Sequence, residues 1–91
     1  MALHPINTES WKGRRQWAGE LALGGDFAAA RRALCVLTQD AETVENRVAV
    51  LGDLAAIMAA SGGVSAAHQG FRRVLRLDPE NTLARRSLGL L

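Results

Sequence analysis

The chain has 91 residues, of which 48% are hydrophobic, 4% aromatic and 22% charged, with a formal net charge of +2. This describes one small domain, too apolar for disorder and too nearly neutral for its overall charge to select nucleic acid. Ala and Leu carry the apolar fraction, which is a helical composition, and a lone Cys35 excludes an internal disulfide and suits a reducing cytoplasm, the expected compartment.

In chain order, residues 1–10 read as a leader and helix cap. Met1-Ala-Leu-His-Pro5 lacks the basic start and apolar core of a secretory signal, and Pro5 opposes helix at His4. Asn7 or Thr8 can cap a first helix, with Glu9 favoured in its first turn, and the helix is expected to run to Leu23 and stop at Gly24-Gly25. Asp26 caps a second helix from Phe27 to about Leu37, and Thr38-Gln39-Asp40 is expected as a loop. Asp40 with Glu42 marks the start of a long third helix, Ala41 to Ala60. Gly62-Gly63 ends it, and Val64 to Leu77 forms a fourth. Asp78-Pro79-Glu80 has a capping Asp, a Pro at the first helical position and an acid in the first turn, so a fifth helix is expected from about Pro79 to Leu90. The longest apolar run, Val48 to Ala60, is broken by Asp53 and is too short to span a bilayer.

The stretch from Val48 to Asn81 organises the rest. Leu51, Leu54, Ala55 and Met58 fall on one helical stripe, and so do Ala67, Phe71, Val74 and Leu75; two glycines join the runs, so the helices fold back on each other. The intervals Leu51-x2-Leu54-Ala55-x2-Met58, then Ala67-x3-Phe71, then Pro79 match the 34-residue pattern of tetratricopeptide repeats (TPR), and the stretch resembles that family. Small residues at Ala55 and Ala67 let two backbones approach, while Leu54, Met58 and Phe71 fill the space beside them. Leu88-Gly89 restores the Leu-Gly pair 34 residues after Leu54-Ala55. Upstream, Trp17-Ala18-x2-Leu21 and Ala30-x3-Leu34 repeat the intervals at an offset of 37 residues, with Glu42 where the closing proline would stand. The resemblance implies an all-α, TPR-like solenoid of stacked helical hairpins, about five helices in a right-handed array. It covers residues 11–91: repeats at about 11–44 and 48–81, and a half-repeat or capping helix at 82–91.

The resemblance also implies a non-catalytic protein–protein interaction module, an adaptor, scaffold or assembly factor that holds a peptide or amphipathic helix in a concave groove. Mapped onto this sequence, the groove-lining face takes Lys12, Arg15, Gly19 and Ala22 from the first repeat, and Gly52, Ala56 and Ala59 from the second. Leu83, Arg86 and Leu90 complete it from the half-repeat. Its centre is small and apolar with Arg15 and Arg86 at the ends, which suits a partner helix bearing acids. No carboxylate clamp is expected, because the middle repeat offers no Lys, Arg or Asn on this face. Leu88 and Leu91 leave an apolar end without a following helix, so self-association or a partner is expected to cover it.

No catalytic constellation can be assembled. His4 and His68 are far apart, no H-x3-H, C-x2-C or paired-carboxylate spacing occurs, and neither glycine pair has the flanks of a phosphate loop. No enzymatic activity, metal, cofactor or membrane partner is therefore expected. Cys35, in the run Leu34-Cys35-Val36-Leu37, is expected as a small buried hydrophobe. His68 is expected at the surface or groove edge, and Trp11 and Trp17 as core or capping residues in preference to stacking platforms. Ten Arg stand against one Lys, with pairs at Arg14-Arg15, Arg31-Arg32, Arg72-Arg73 and Arg85-Arg86. Solvated or helix-end roles rank first for them, contacts to an acidic partner protein second and nucleic acid third. An enzyme-associated module, fused to or docking on a catalytic chain, is a further alternative.

Overall fold

The computed structural model describes residues 10–90; the expected leader, the candidate caps Asn7 and Thr8, Glu9 and the terminal Leu91 lie outside that range. Five helices follow one another: α1 (Trp11–Leu23), α2 (Phe27–Gln39), α3 (Val44–Ala60), α4 (Val64–Leu77) and α5 (Thr82–Ser87). The fold is all-α, with no strand among the described residues. Each helix packs on the next: α1 on α2, α2 on α3, α3 on α4 and α4 on α5. The extents are 43 × 28 × 21 Å.

Local chemistry sets most of the boundaries. Ser10, Asp26, Thr43 and Asn81 each accept a hydrogen bond from a backbone N–H in the first turn of the helix they precede. α1 and α3 end in the same motif. Asp26 N–H donates to Leu21 O and Gly25 N–H to Ala22 O, and Gly63 N–H likewise donates to Met58 O and Gly62 N–H to Ala59 O. Gly25 and Gly62 supply the required positive φ of 87° and 94°.

Five helix ends differ from those read in the sequence, the first being the start of α1, where Ser10 and not Asn7 or Thr8 is the cap and Trp11 the first helical residue. α2 continues to Gln39, since Thr38 Oγ1 donates to Leu34 O within the helix and does not bond into a loop. α3 starts at Val44, because Thr43 Oγ1 accepts from Asn46 N–H while Asp40 and Glu42 stay outside the helix. α5 is only six residues long. Asp78-Pro79-Glu80 forms a turn closed by Asn81 N–H donating to Asp78 O, and Asn81 is the cap. A third glycine stop, with Leu90 N–H on Arg85 O and Gly89 at φ 75°, ends α5 before Leu90.

The core divides into two clusters on either side of α3. Val50, Leu54 and Ile57 pack with Ala18 of α1 and Ala30, Leu34 and Leu37 of α2. Val48, Leu51 and Ala55 pack with Ala67, Phe71 and Val74 of α4 and Ala84 of α5. The stripe Leu51, Leu54, Ala55, Met58 is thus split between two partners, and α3 is buried on two flanks. The α1–α2 hairpin is tied at its open end, where Trp11 Nε1–H donates to Leu37 O at 3.0 Å and Arg14 pairs with Asp40 at 2.9 Å.

Two expectations about burial fail. Cys35 is exposed, because the phase of α2 turns Leu34 and Leu37 inward and leaves Cys35 and Val36 outside. Trp17 is 46% exposed, whereas Leu54, its counterpart 37 residues on, is 9% exposed against α2. No described helix precedes α1 to cover Trp17 in the same way.

Gly70 marks the closest approach of α4 to α3. A Cβ added there would lie 2.9 Å from Ala55 Cβ, well inside van der Waals contact. Gly70→Val is therefore expected to lower stability by about 1–3 kcal/mol through overpacking. Urea unfolding followed by circular dichroism checks this, and an unchanged midpoint would contradict the close approach.

Candidate functional site

Two hollows lie against α3. The first, about 510 Å³, is bounded by Lys12, Arg15, Gly19 and Ala22 of α1 and by Asp53, Ala56 and Ile57 of α3, with Leu34 of α2 beneath. The second, about 360 Å³, lies between α3, α4 and α5 and takes Ala56, Ala59, Phe71 and Leu83. Ala56 belongs to both, so the hollows meet on α3.

Side-chain size makes the depth. Ala56 and Ala59 are exposed but short, and a Cβ added at Gly19 would meet nothing within 4 Å. The lining is mostly apolar, with Lys12, Arg15, Gln16 and Asp53 grouped at the α1 end. This combination can seat an apolar stripe of a helix or peptide and offers it few polar contacts.

One polar contact spans the first hollow. Arg15 Nε–H donates to Asp53 Oδ2 at 2.6 Å and Nη2–H to Asp53 Oδ1 at 3.1 Å, a two-pronged pair linking α1 to α3. This hydrogen bond raises the Arg15 pKa above its ordinary value; partial burial opposes the rise and the attraction of the carboxylate adds to it. A raised guanidinium pKa gives stability that is complete below the ordinary Arg range and lost only as pH rises through the folded value, so none of it titrates near neutrality.

The sequence-derived groove residues distribute as follows. Lys12, Arg15, Gly19, Ala22 and Ala56 come together in the first hollow, and Ala56, Ala59 and Leu83 in the second. Gly52 is buried, with Leu83 Cδ2 3.7 Å from where its Cβ would be, so α5 covers it. Arg86 is exposed on α5 but lines neither hollow. Leu90 joins neither and lies in a separate depression with His68, Arg72, Leu75 and Leu88. Leu88, expected at a self-association surface, is half-buried against the chain's own second cluster, and Leu91 lies outside the described residues.

Asp53 is the site residue that the sequence reading missed. It stands 38 residues from Arg15, and its role there was confined to interrupting an apolar run. The signal was available: Asp53 stands three residues before Ala56, one turn away on the face already assigned to the groove. The pairing also removes the free cation that an acidic partner would have met at this end, leaving Lys12 exposed on the rim.

Among the described residues no three of His, Cys, Asp and Glu come together as metal ligands, and no helix is long and apolar enough to cross a membrane. Because both side chains of the Arg15–Asp53 pair are substantially exposed, solvent screening limits their coupling to about 0.2–1 kcal/mol. A double-mutant cycle with Arg15→Gln and Asp53→Asn measures it, and a coupling above about 2 kcal/mol would show the pair to be desolvated. Compared with known proteins, the chain matches no protein-family model and no curated relative.

Proposed function

We propose that the chain is a non-catalytic protein–protein interaction module, a TPR-like array of helical hairpins that holds one helix of a partner protein on the side where the two hollows meet. The observation that carries this reading is the continuity of the hollows at Ala56, flanked by α1 and α5. Three copies of the TPR intervals in the sequence support the repeat arrangement, and the consecutive packing of neighbouring helices is the arrangement such repeats require.

The chemistry of the surface describes the partner. The floor accepts short apolar side chains spaced along a helical stripe, and the hollow over Gly19 has room for a larger one. Arg15 is held by Asp53, so the apolar stripe of the partner and not its acidic groups supplies most of the affinity. Lys12 on the rim gives one contact for a carboxylate and helps to fix the direction of the helix.

Ala56→Arg places a long charged side chain at the junction of the hollows. On an exposed helix position this substitution keeps helix propensity and leaves the melting temperature unchanged. The expected outcome in nuclease-treated pull-downs from native lysate is a stoichiometric protein on the parent chain that is lost from the variant, followed by binding of that protein's helix as a peptide. Equal retention by both chains would exclude this surface as the partner site.

A further inference from the structure

Charge is divided unevenly between the helices. α1 and α3 carry both signs, and two of their arginines are ion-paired, Arg14 with Asp40 and Arg15 with Asp53. α2 and α4 carry Arg31, Arg32, Arg72, Arg73 and Arg76 and not a single carboxylate. All five are exposed, and among the described residues none of them is ion-paired. They also point away from the hollows. α2 turns Ala30, Leu34 and Leu37 towards α1 and α3, and α4 turns Ala67, Phe71 and Val74 towards α3 and α5, so the arginines occupy the outer arcs of both helices.

The outer arc of α4 has a specific composition. Arg72 and Arg76 stand one turn apart on one line, about 6 Å along the axis, with Arg73, Gln69 and Ser65 beside them. Arg, Gln and Ser are the side chains that bond to phosphate oxygens. We infer that the outer face of α4 binds the phosphate backbone of duplex nucleic acid without reading its sequence.

Other polyanions fit less well. A protein interface uses charges of both signs to fix register, and α4 carries no carboxylate. A lipid surface would insert apolar side chains beside the cations, and Leu90 stands near Arg72, so anionic vesicles are the direct competitor in the test. Single strands are held by aromatic stacking, whereas Phe27 and Phe71, the aromatics of α2 and α4, both pack into the core. A duplex asks only for cations placed along a regular lattice of phosphates. Arg72 borders a depression that shares His68 with the second hollow, so the two readings are told apart by their variants: Ala56→Arg probes the hollows and the arginine substitutions probe the outer face of α4.

The test is fluorescence anisotropy with a labelled 20-base-pair duplex, as DNA and as RNA, titrated with the full chain from about 50 to 200 mM salt. With about three phosphates neutralised by the arginines of α4, the logarithm of affinity should fall against the logarithm of salt with a slope of about −2.7. The triple variant Arg72→Gln, Arg73→Gln, Arg76→Gln, with its helical circular dichroism intact, should bind at least about tenfold more weakly at 50 mM salt and show a slope shallower by about 2 to 3. The corresponding Lys variant should bind like the parent, since phosphate needs the charge and not the fork. Absence of binding to either duplex at 50 mM salt would overturn the inference, as would parent-like binding by the Gln variant. Tighter binding of a polyglutamate chain or of anionic vesicles than of both duplexes would also overturn it, by assigning the arginines to another anion.

Discussion

Everything in this fold depends on α3 being buried on two flanks at once. Its side chains alternate between two clusters: Val50, Leu54 and Ile57 hold the α1–α2 hairpin, and Val48, Leu51 and Ala55 hold α4 and α5. Burying five such Val, Leu and Ile side chains contributes on the order of 10 kcal/mol, an upper figure, which is comparable to the net stability of a whole domain. Neither hairpin of a 91-residue chain has a sufficient core alone, and α3 lets the two share one. Gly70 serves the same end, since only a residue without Cβ lets α4 come this close to Ala55.

The same helix organises the surface. Between its two buried flanks α3 shows a narrow strip of short side chains, Ala56 and Ala59, and the bodies of α1 and α5 rise on either side. The hollows follow from that arrangement, as a low central helix between two higher ones. The Arg15–Asp53 pair links α1 to α3 across the first hollow at modest energetic gain. α2 and α4 have no carboxylates of their own to answer their arginines, which gives these helices a different surface chemistry from α1 and α3.

Elements bounded by glycine pairs were legible in the sequence. α4 begins and ends where its pattern placed it, and α1 stops at Gly24-Gly25, because a positive-φ glycine stop is a local signal. Capping was ambiguous where several short polar residues stood in a row. Asp40, Glu42 and Thr43 all offered oxygen to α3, and Asp78 and Asn81 both offered it to α5; in each case the residue nearest the first apolar position was chosen. For the surface, helical phase placed Lys12, Arg15, Gly19, Ala22 and Ala56 together, since they repeat on one side of their helices. Phase failed for Leu90, because α5 ends at Ser87 and the positive-φ Gly89 takes the chain off the helical path before that residue. Exposure of Trp17 and Cys35 depended on which helices cover which flank, a tertiary fact that no local pattern carries.

Native-state hydrogen exchange of α3 is the most direct measurement. If the two clusters form one unit through α3, amides on both of its flanks, at Val50, Leu54 and Ile57 and at Leu51 and Ala55, should open with a single free energy. That value should be the highest in the chain and equal to the global unfolding free energy. Separate opening energies for the two flanks, or protection of the α1–α2 hairpin that outlasts that of α3, would contradict the account.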